Sequence, residues 1–394
     1  MSKRPLPLDP AAALPADEGA LLVGRAWRPG VGPSVIAVRG RDVFDITSSD
    51  APTVRDLVET GAAAAIVRDL PGEWIGTAAA ILANSDEDRR DPERPWLLAP
   101  IDLQAVKASG VTFVVSLLER VIEEQARGAP EKALAIRADI DALIGRDLSS
   151  LKPGSPEAME VKKALIARGV WSQYLEVGIG PDAEIFTKGQ PMSAVGTGAH
   201  VGIPPYSVWN NPEPEIAVLA SSRGDIVGAT LGNDMNLRDV EGRSALLLGK
   251  AKDNNASGSI GPFIRLFDDR FTLDGVRSAE LGLVVEGSDG FRLEGSSSMS
   301  QISRDPMELV EATIGENHQY PDGFVLLLGT MFAPVEDRDR PGEGFTHKLD
   351  DVVTITAPAL GSLTNRVRHC ADCAPWDFGA AALMRNLAGR GLLG

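Results

Sequence analysis

Three carboxylates carry the clearest chemical signal in the sequence. Glu213 and Glu215 flank Pro214 just before the apolar run 216–220, and side chains two residues apart on a strand point to the same face. The turn "SSRGD" and the return segment "DIVGATLGND" predict a hairpin that brings Asp234 back beside them. Neighbouring carboxylates repel each other unless a cation or a proton lies between them. The pattern indicates a site for a hard divalent cation such as Mg²⁺, which takes about six oxygens, although an isolated pair of glutamates is also typical of a solvated, acidic sheet edge.

The elements that must position these residues suggest two regions. Residues 20–70 alternate short strand-like pieces with a helical piece, which is typical of a small α/β module. The charged segment 83–102 contains prolines and is interpreted as a linker. We therefore predict an N-terminal domain and linker over residues 1–97, followed by a catalytic domain over residues 98–394. After Trp171 short β-like runs broken by Gly, Pro and Asn dominate, so the predicted fold class is a mixed, β-rich α/β protein.

A helical segment is predicted to interrupt the catalytic domain. Apolar residues recur at helical spacing in "VTFVVSLLERVIEEQARG". A second helix is expected over residues 130–145. A third begins at Ser155-Pro156-Glu157, where a serine N-cap precedes a proline at the first helical position. Together they predict a helical insertion over about residues 120–170, which could act as a lid.

Composition and charge exclude several classes of partner. The 394 residues carry 39 basic and 55 acidic side chains, and the formal net charge of −16 argues against a nucleic-acid surface or an anionic membrane. A small anionic substrate is compatible with this charge, because a metal or a lysine cluster can reverse the field in one pocket. The N-terminal segment lacks the apolar core of a signal peptide, and the apolar run 324–335 is too short to span a bilayer. We therefore expect a cytoplasmic protein.

The two cysteines of the sequence, Cys370 and Cys373, form a lone CxxC next to His369. A structural zinc site would need a second pair of ligands. Two reduced thiols are therefore favoured over a metal or redox motif, in keeping with a reducing cytoplasm.

Several motifs together resemble the fumarylacetoacetate hydrolase family: "NPEPEIAVL", "GATLGNDMNLRD", "KDNNASGSIGP", "EIFTKG", "LLLGT" and "HKLDDVVTITAPALGSLTNRV". The resemblance covers roughly residues 100–390. It implies a β-rich roll with a metal at its mouth, held by Glu213, Glu215 and Asp234. It further implies Mg²⁺ or Mn²⁺ as the cofactor and assembly as a homo-dimer or homo-tetramer.

Four further positions match the family's motifs. Lys188 belongs to the Phe-x-Lys motif, Arg238 follows the motif that contains Asp234, Lys252 precedes "DNNASG", and Thr330 ends "LLLGT". Each has a simpler alternative: the lysines could lie on the surface, Arg238 could pair with a nearby acid, and Thr330 could be an ordinary strand residue. The resemblance implies that all four contribute to substrate binding or catalysis.

One departure from the family pattern bears on the reaction. Where hydrolases of the family carry a histidine followed three residues later by a glutamate, this sequence has Ser116 and Glu119. A serine cannot act as a general base near neutral pH without a partner, which puts C–C hydrolysis in doubt.

Three phrases resemble most closely the family's bacterial 2-keto-3-deoxy-D-xylonate dehydratases: "VTFVVSLLERVIEEQARG", "SQYLEVGIGPDAEIFTKG" and "EGRSALLLGKAKDNNASGSIGPF". That resemblance implies a lyase of pentose (xylose) catabolism, which converts a 2-keto-3-deoxy-pentonate to 2,5-dioxopentanoate and water. Glu119 and Lys188 are the candidates for proton transfer, and Lys252 would bind the substrate carboxylate or the enolate oxygen. Ser116, Arg238 and Thr330 would line the substrate pocket.

Two alternatives remain at this level. An acylpyruvate-type C–C hydrolase or a 2-keto acid decarboxylase of the same family would use the same metal chelation. A catalytically silent binder of sugar acids would keep the pocket without the chemistry, although the lysines and Glu119 argue against it.

Overall fold

The fold was analysed in a computed structural model that describes residues 4–127, 132, 136, 151–167, 169, 171–332, 336–339 and 344–393. In the described part of the chain, the helices are α1 Pro10–Ala13, α2 Val54–Glu59, α3 Ala63–Asp69, α4 Ala78–Ser85, α5 Val114–Ala126, α6 Pro156–Ala167, α7 Gln173–Ile179, α8 Arg238–Glu241, α9 Leu248–Lys252, α10 Leu273–Arg277, α11 Pro306–Thr313 and α12 Ala380–Gly389. The strands are β1 Leu22–Arg28, β2 Gly32–Arg39, β3 Asp42–Asp45, β4 Glu73–Thr77, β5 Trp96–Leu97, β6 Ala105–Gly110, β7 Glu184–Gly189, β8 His200–Ile203, β9 Asn210–Asn211, β10 Pro214–Ala220, β11 Ile226–Asp234, β12 Asn236–Leu237, β13 Gly258–Leu266, β14 Glu280–Glu286, β15 Arg292–Ser298, β16 Phe324–Leu327, β17 Val352–Ala357 and β18 Gly361–His369.

A large mixed sheet is the main element of the fold. Its strands follow the order β4-β3-β2-β1-β13-β11-β10-β16-β6-β7, and β5 pairs with β1. A second sheet has the order β15-β14-β17-β18-β8, and β9 pairs with β12 in a short ribbon. In the large sheet β10 and β11 form the antiparallel hairpin predicted from the sequence, with Glu215 opposite Gly232.

The central strand β10 is buried on both faces, which explains its continuous apolar run. Ile216, Val218 and Ala220 belong to a core shared with the second sheet, where they join residues such as Leu283 and Ile355. Ala217 and Leu219 face the other side and join a core that contains Val54 and Leu57 of α2. Because β10 is buried on both faces, it fixes the positions of Glu213, which precedes it, and of Glu215, its second residue.

The N-terminal strands are continuous with the rest of the large sheet. Strand β1 pairs antiparallel with β13, so that Val23 lies opposite Ile264. The segment interpreted as a linker contains β5, which pairs Trp96 and Leu97 with β1. A boundary at residue 97 remains a prediction, and the pairing of β1 with β13 ties the two predicted regions together.

Helix α5 leads into the predicted insertion and has two kinds of buried residue. Leu117, Val121 and Ile122 pack in an apolar cluster with side chains of α6 and α7. Its polar residues Ser116, Glu119 and Glu123 are also buried. Helix α6 begins at Pro156, as the sequence predicts. The predicted helix 130–145 lies, apart from residues 132 and 136, outside the described residues.

Candidate active site

The three predicted carboxylates meet at the open end of the β10–β11 hairpin. Glu213 precedes β10, Glu215 is its second residue, and Asp234 ends β11. One oxygen from each lies within 4.8 Å of the others, and the residues are only 4%, 2% and 1% exposed. The hairpin register fixes this arrangement, because the Asp234 amide donates to the Glu213 carbonyl at 3.1 Å and the Glu213 amide donates to the Asn233 side chain at 3.1 Å. We call Glu213, Glu215 and Asp234 the carboxylate cluster.

Two buried lysines flank the carboxylate cluster. Lys188, near the end of β7, places Nζ 2.7 Å from Asp234 Oδ1. Lys252, the last residue of α9, places Nζ 2.7 Å from Glu213 Oε2 and 2.9 Å from Asp234 Oδ2. Burial lowers the pKa of Lys188, although Asp234 opposes the shift. Burial also disfavours the charge on Lys252, but Asp234 and Glu213 outweigh it and raise the pKa of this lysine.

Glu215 differs from the other two acids in its partners. Its Oε2 accepts a hydrogen bond of 2.6 Å from the Gly329 amide, and no lysine or arginine among the described residues lies in ion-pair contact with it. Burial, and then the charges of Asp234 and Glu213, raise the pKa of Glu215 well above its ordinary range. A buried carboxylate next to two others is stable as an anion only when a cation joins them. The donor set therefore fits a hard divalent cation bound by three carboxylate oxygens.

Helix α5 brings Glu119 and Ser116 to the same region. Glu119 Oε2 accepts from Arg238 Nη2 at 3.1 Å, while Arg238 Nε donates to Glu123 Oε1 at 2.6 Å. The Arg238 guanidinium stacks 4.4 Å from the ring centroid of Trp209. Ser116 Oγ donates to the Phe113 carbonyl at 2.9 Å, three residues earlier in the chain. Arg238 thus pairs with two acids of α5, which are distant in sequence, whereas the simple alternative from the sequence was a nearby acid.

Two small cavities adjoin the carboxylate cluster. One, of about 10 Å³, includes Glu119 and Arg238; the other, of about 20 Å³, includes the whole carboxylate cluster and Lys252. Both are lined by Ser116, Glu213 and Thr330. A larger cavity of about 740 Å³ lies beside the N-terminal segment and α4 and has no lysine among its lining residues. We assign the candidate active site to the two small cavities, because acidic and basic side chains converge there.

Four charged residues of the site were missed by the sequence interpretation: Arg120, Glu123, Glu184 and Glu241. Burial, reinforced by the charge of Glu241, raises the pKa of Glu184 to about 7. Glu184 begins β7 four residues before Lys188. Side chains an even number of residues apart on a strand lie on the same face, so this spacing could have predicted Glu184 as a site residue. Arg120 and Glu241 had no comparable signal, because their roles depend on contacts across the fold.

The cysteine pair lies outside this chemistry. Among the described residues, the carboxylate cluster is the single group of His, Cys, Asp or Glu side chains with metal-ligand spacing. Both thiols are free, and burial raises the pKa of Cys370 to about 11 and that of Cys373 to about 12. Two reduced thiols with pKa values this high are protonated at neutral pH. In the described part of the chain, every helix is too short or too polar to cross a bilayer.

Comparison with known sequences identifies relatives of the chain. The model of the fumarylacetoacetate (FAA) hydrolase C-terminal domain matches residues 176–368. A Haloferax volcanii protein named "Probable 2-keto-3-deoxyxylonate dehydratase" is 27% identical over 333 residues, which cover 84% of this chain and 94% of the relative. A 2-dehydro-3-deoxy-D-arabinonate dehydratase of Saccharolobus solfataricus is 33% identical over 188 residues, which cover 47% of this chain and 58% of the relative.

Solved structures share the fold. A 2-keto-3-deoxy-D-arabinonate dehydratase complexed with magnesium and 2,5-dioxopentanoate superposes with a TM-score of 0.61 at 22% identity, covering 89% of this chain and 99% of that one. A fumarylacetoacetate hydrolase from Exiguobacterium antarcticum superposes with a TM-score of 0.53 at 14% identity, covering 89% of this chain and 100% of that one. The predicted mixed α/β fold class is confirmed, and the expectation of an enzyme agrees with the named relatives. Residues 176–368 thus match the fumarylacetoacetate hydrolase family in sequence, and the predicted resemblance to that family is confirmed.

Proposed function

We propose that the protein is a divalent-metal-dependent dehydratase, which converts a 2-keto-3-deoxy-pentonate, and specifically 2-keto-3-deoxy-D-xylonate, to 2,5-dioxopentanoate and water. The observation that carries the proposal is the buried carboxylate cluster, in which Glu215 lacks a cationic partner among the described residues, flanked by Lys188 and Lys252. The names of the two sequence relatives support the substrate class. The three acids would hold Mg²⁺ or Mn²⁺, both hard cations that take oxygen ligands.

The reaction first removes a proton from C3 and the hydroxyl group from C4, which leave together as water and give a 5-hydroxy-2-keto-3-enoate. This enone then loses a proton from C5 and gains one at C3, and the resulting C4–C5 enol ketonises to the aldehyde of 2,5-dioxopentanoate. A bound divalent cation supplies Lewis acidity, which polarises the 2-keto group and is worth several kcal/mol of charge stabilisation. Lys252 lies among the carboxylates with a raised pKa, so it stays an ammonium and offsets negative charge on the substrate. Its role is to bind and orient the 2-keto acid.

Three groups are the candidates for proton transfer in this proposal. Lys188 has a lowered pKa, which brings an amine closer to service as a base. Glu184 has a pKa of about 7, so near neutral pH it can both accept and donate a proton. Glu119 lines the cavity that also contains Ser116 and Thr330. An acid and a base with separated pKa values are what an elimination needs.

The environment of Ser116 argues for dehydration over hydrolysis. Its hydroxyl proton is directed to the Phe113 carbonyl, and no imidazole occupies its position to activate a water molecule. A dehydratase does not require an activated water nucleophile, whereas a C–C hydrolase does.

The test is a substrate screen with the purified protein. Both C4 epimers of 2-keto-3-deoxy-pentonate are incubated with Mg²⁺ or Mn²⁺, and 2,5-dioxopentanoate is detected by coupling to a semialdehyde dehydrogenase. Acylpyruvates and oxaloacetate are tested in parallel for release of pyruvate or CO₂. We expect sugar-acid dehydration that EDTA abolishes and added metal restores. Faster cleavage of acylpyruvate or oxaloacetate would favour the hydrolase or decarboxylase, and tight binding without turnover would favour the silent binder.

A further inference from the structure

Both oxygens of Glu213 already have a cationic partner within the protein. Arg120 Nη2 contacts Oε1, and Lys252 Nζ lies 2.7 Å from Oε2. Asp234 is likewise paired with Lys188 and Lys252. A divalent cation that binds the carboxylate cluster must therefore compete with side-chain cations for the same oxygens, because two cations close together repel each other.

The three competing side chains differ in what holds them. Lys188 Nζ also donates to the Met235 and Lys252 carbonyls at 3.1 and 2.8 Å, so it has neutral partners that fix its position. Lys252 pairs with Glu213 and Asp234, and both of these belong to the cluster. Neither lysine has a carboxylate outside the cluster as an ion-pair partner among the described residues.

Arg120, in contrast, has carboxylate partners outside the carboxylate cluster. Its Nη1 lies 2.7 Å from Glu123 Oε2 and 3.3 Å from Glu241 Oε2. These acids belong to α5 and α8, outside the cluster. Both are buried, so their attraction for a guanidinium is only weakly screened. When Arg120 leaves Glu213 it keeps two ion pairs, which makes it the least costly of the three cations to displace.

We infer that Arg120 is a built-in competitor of the divalent cation: it holds Glu213 in the metal-free protein, and metal binding shifts its guanidinium towards Glu123 and Glu241. This inference rests on the proposed function, because it requires the carboxylate cluster to be the metal site. It makes Arg120 a positioning residue that couples metal binding to the placement of α5.

The shift has a consequence for the substrate. Arg120 lines both small cavities, together with Ser116 and Thr330. A guanidinium released from Glu213 has donors free for an anion, and its planar fork suits oxygen acceptors such as those of a sugar acid. Metal binding and binding of the anionic 2-keto acid are therefore expected to support each other, with Arg120 as the link.

The experiment is a calorimetric Mn²⁺ titration without substrate, comparing the wild-type protein with Arg120→Gln. Arg238→Gln is the matched control, because Arg238 also pairs with acids of α5 but contacts no residue of the cluster through a described ion pair. Loss of the competitor should tighten the dissociation constant for Mn²⁺ by at least about 5-fold, the lower end of typical couplings between sites. Arg238→Gln should not tighten it. The KM of Arg120→Gln for the keto acid should rise although its metal is held more firmly.

If Arg120 had a merely structural role, Arg120→Gln would bind Mn²⁺ more weakly instead of more tightly, because a loosened α5 would weaken metal binding and activity together. Unchanged or weaker Mn²⁺ binding in Arg120→Gln would overturn the inference. Should that variant fold poorly, Arg120→Lys keeps the charge but cannot span three acids with one ammonium, so it should tighten binding by a smaller factor; no tightening there counts equally against the inference. Absence of Mn²⁺ binding in every variant would overturn this inference and the proposed function together, whereas tightening without dehydration would overturn the proposed function alone.

Discussion

At the scale of single residues, the site is governed by the cost of burying charge. Glu215 is 2% exposed and has two acids beside it, an arrangement that would be strongly destabilising without a function. Natural proteins keep such residues where a ligand relieves the repulsion. The same reasoning applies to Glu184, whose raised pKa comes from burial and from Glu241.

Replacing Glu215 with Gln tests the carboxylate cluster directly. The change keeps the shape but removes one charge, so metal affinity should fall by at least about 10- to 100-fold, the effect already seen for groups that only support a ligand. The metal-free variant should unfold at a temperature no lower than the wild type, because a buried repulsion has been removed. Mn²⁺ titration and thermal unfolding in EDTA measure the two effects, with the partly exposed Glu286→Gln as the control. Wild-type metal affinity in the Glu215 variant would contradict the assignment.

The raised pKa of Glu184 predicts a specific pH dependence of the free energy of unfolding. Its pKa rises on folding from an ordinary 4.5 to about 7, so the folded state binds the proton more tightly than the unfolded state. The free energy of unfolding should therefore fall as pH rises from 4.5 to 7, by roughly 3 kcal/mol from this group. Glu184→Gln should lack that component, which denaturant unfolding at pH 5 and pH 8 in EDTA can measure. The exposed Glu311→Gln is the control, and an identical pH dependence in wild type and Glu184→Gln would refute the prediction.

Glu119 and Ser116 separate the proposed dehydration from hydrolysis. If Glu119 transfers a proton, Glu119→Gln should lower kcat by about 10²- to 10⁴-fold while metal affinity stays intact. Ser116→Ala should have a much smaller effect, because its hydroxyl proton is directed to a backbone carbonyl. Steady-state kinetics of the two variants decide the matter. Equal damage from both would mean that the serine takes part in the chemistry.

At the scale of elements, most side chains of the candidate site lie at or near the ends of strands. The segment after β16 is the clearest case, because the Gly329 amide donates to Glu215 and the next residue, Thr330, lines both cavities. Gly329 has φ +92°, and a Cβ there would collide with the Thr112 hydroxyl and lie 3.1 Å from the Ser109 carbonyl. A glycine is needed for both reasons.

Gly329→Ala should therefore damage stability and metal binding together. The left-handed conformation costs an alanine about 1–2 kcal/mol, and the collision adds about 1–3 kcal/mol of overpacking. Gly290 is a matched control, since it has φ +85° but open space around its Cβ position. Gly290→Ala should show the strain alone and keep wild-type Mn²⁺ affinity. Equal losses of stability in the two variants, measured by denaturant unfolding, would show that the collision is relieved at no cost.

At the scale of the whole molecule, one sheet joins the N-terminal strands to the site. Strand β1 pairs with β13, and β13 pairs with β11, which ends in Asp234. The core beneath this junction mixes Ile36 of the N-terminal region with Phe263 of β13. The N-terminal strands are thus positioned to stabilise the hairpin that bears the carboxylate cluster.

Truncating Ile36 should consequently affect the distant site. Ile36 is fully buried, and Ile→Ala in a core costs about 2–5 kcal/mol. We expect Ile36→Ala to lower the temperature at which Mn²⁺ binding is lost, in step with a single calorimetric transition. Ile166→Ala, at a position 52% exposed, should change neither the temperature at which Mn²⁺ binding is lost nor the temperature of the calorimetric transition. A separate low-temperature transition that leaves metal binding intact would mean that residues 1–97 unfold independently.

Local patterns determined much of the fold around the site. The apolar run 216–220, the turn "SSRGD" and the spacing of Glu213 and Glu215 predicted the β10–β11 hairpin that the structure contains, because strand periodicity and turn chemistry are local properties. The serine and proline at 155–156 likewise predicted the start of α6. The motifs also led to the fumarylacetoacetate hydrolase family, which the comparison with known sequences confirmed.

Only the tertiary structure decided how the charges at the site are paired. Arg120 lies 93 residues from Glu213 in the chain, and Arg238 lies 119 residues from Glu119; no local period predicts such contacts. The pKa of Glu184 depends on burial and on Glu241, and both depend on packing. A sequence specifies which groups can ionise, but the dielectric environment and the neighbouring charges that set their protonation arise only when distant elements meet.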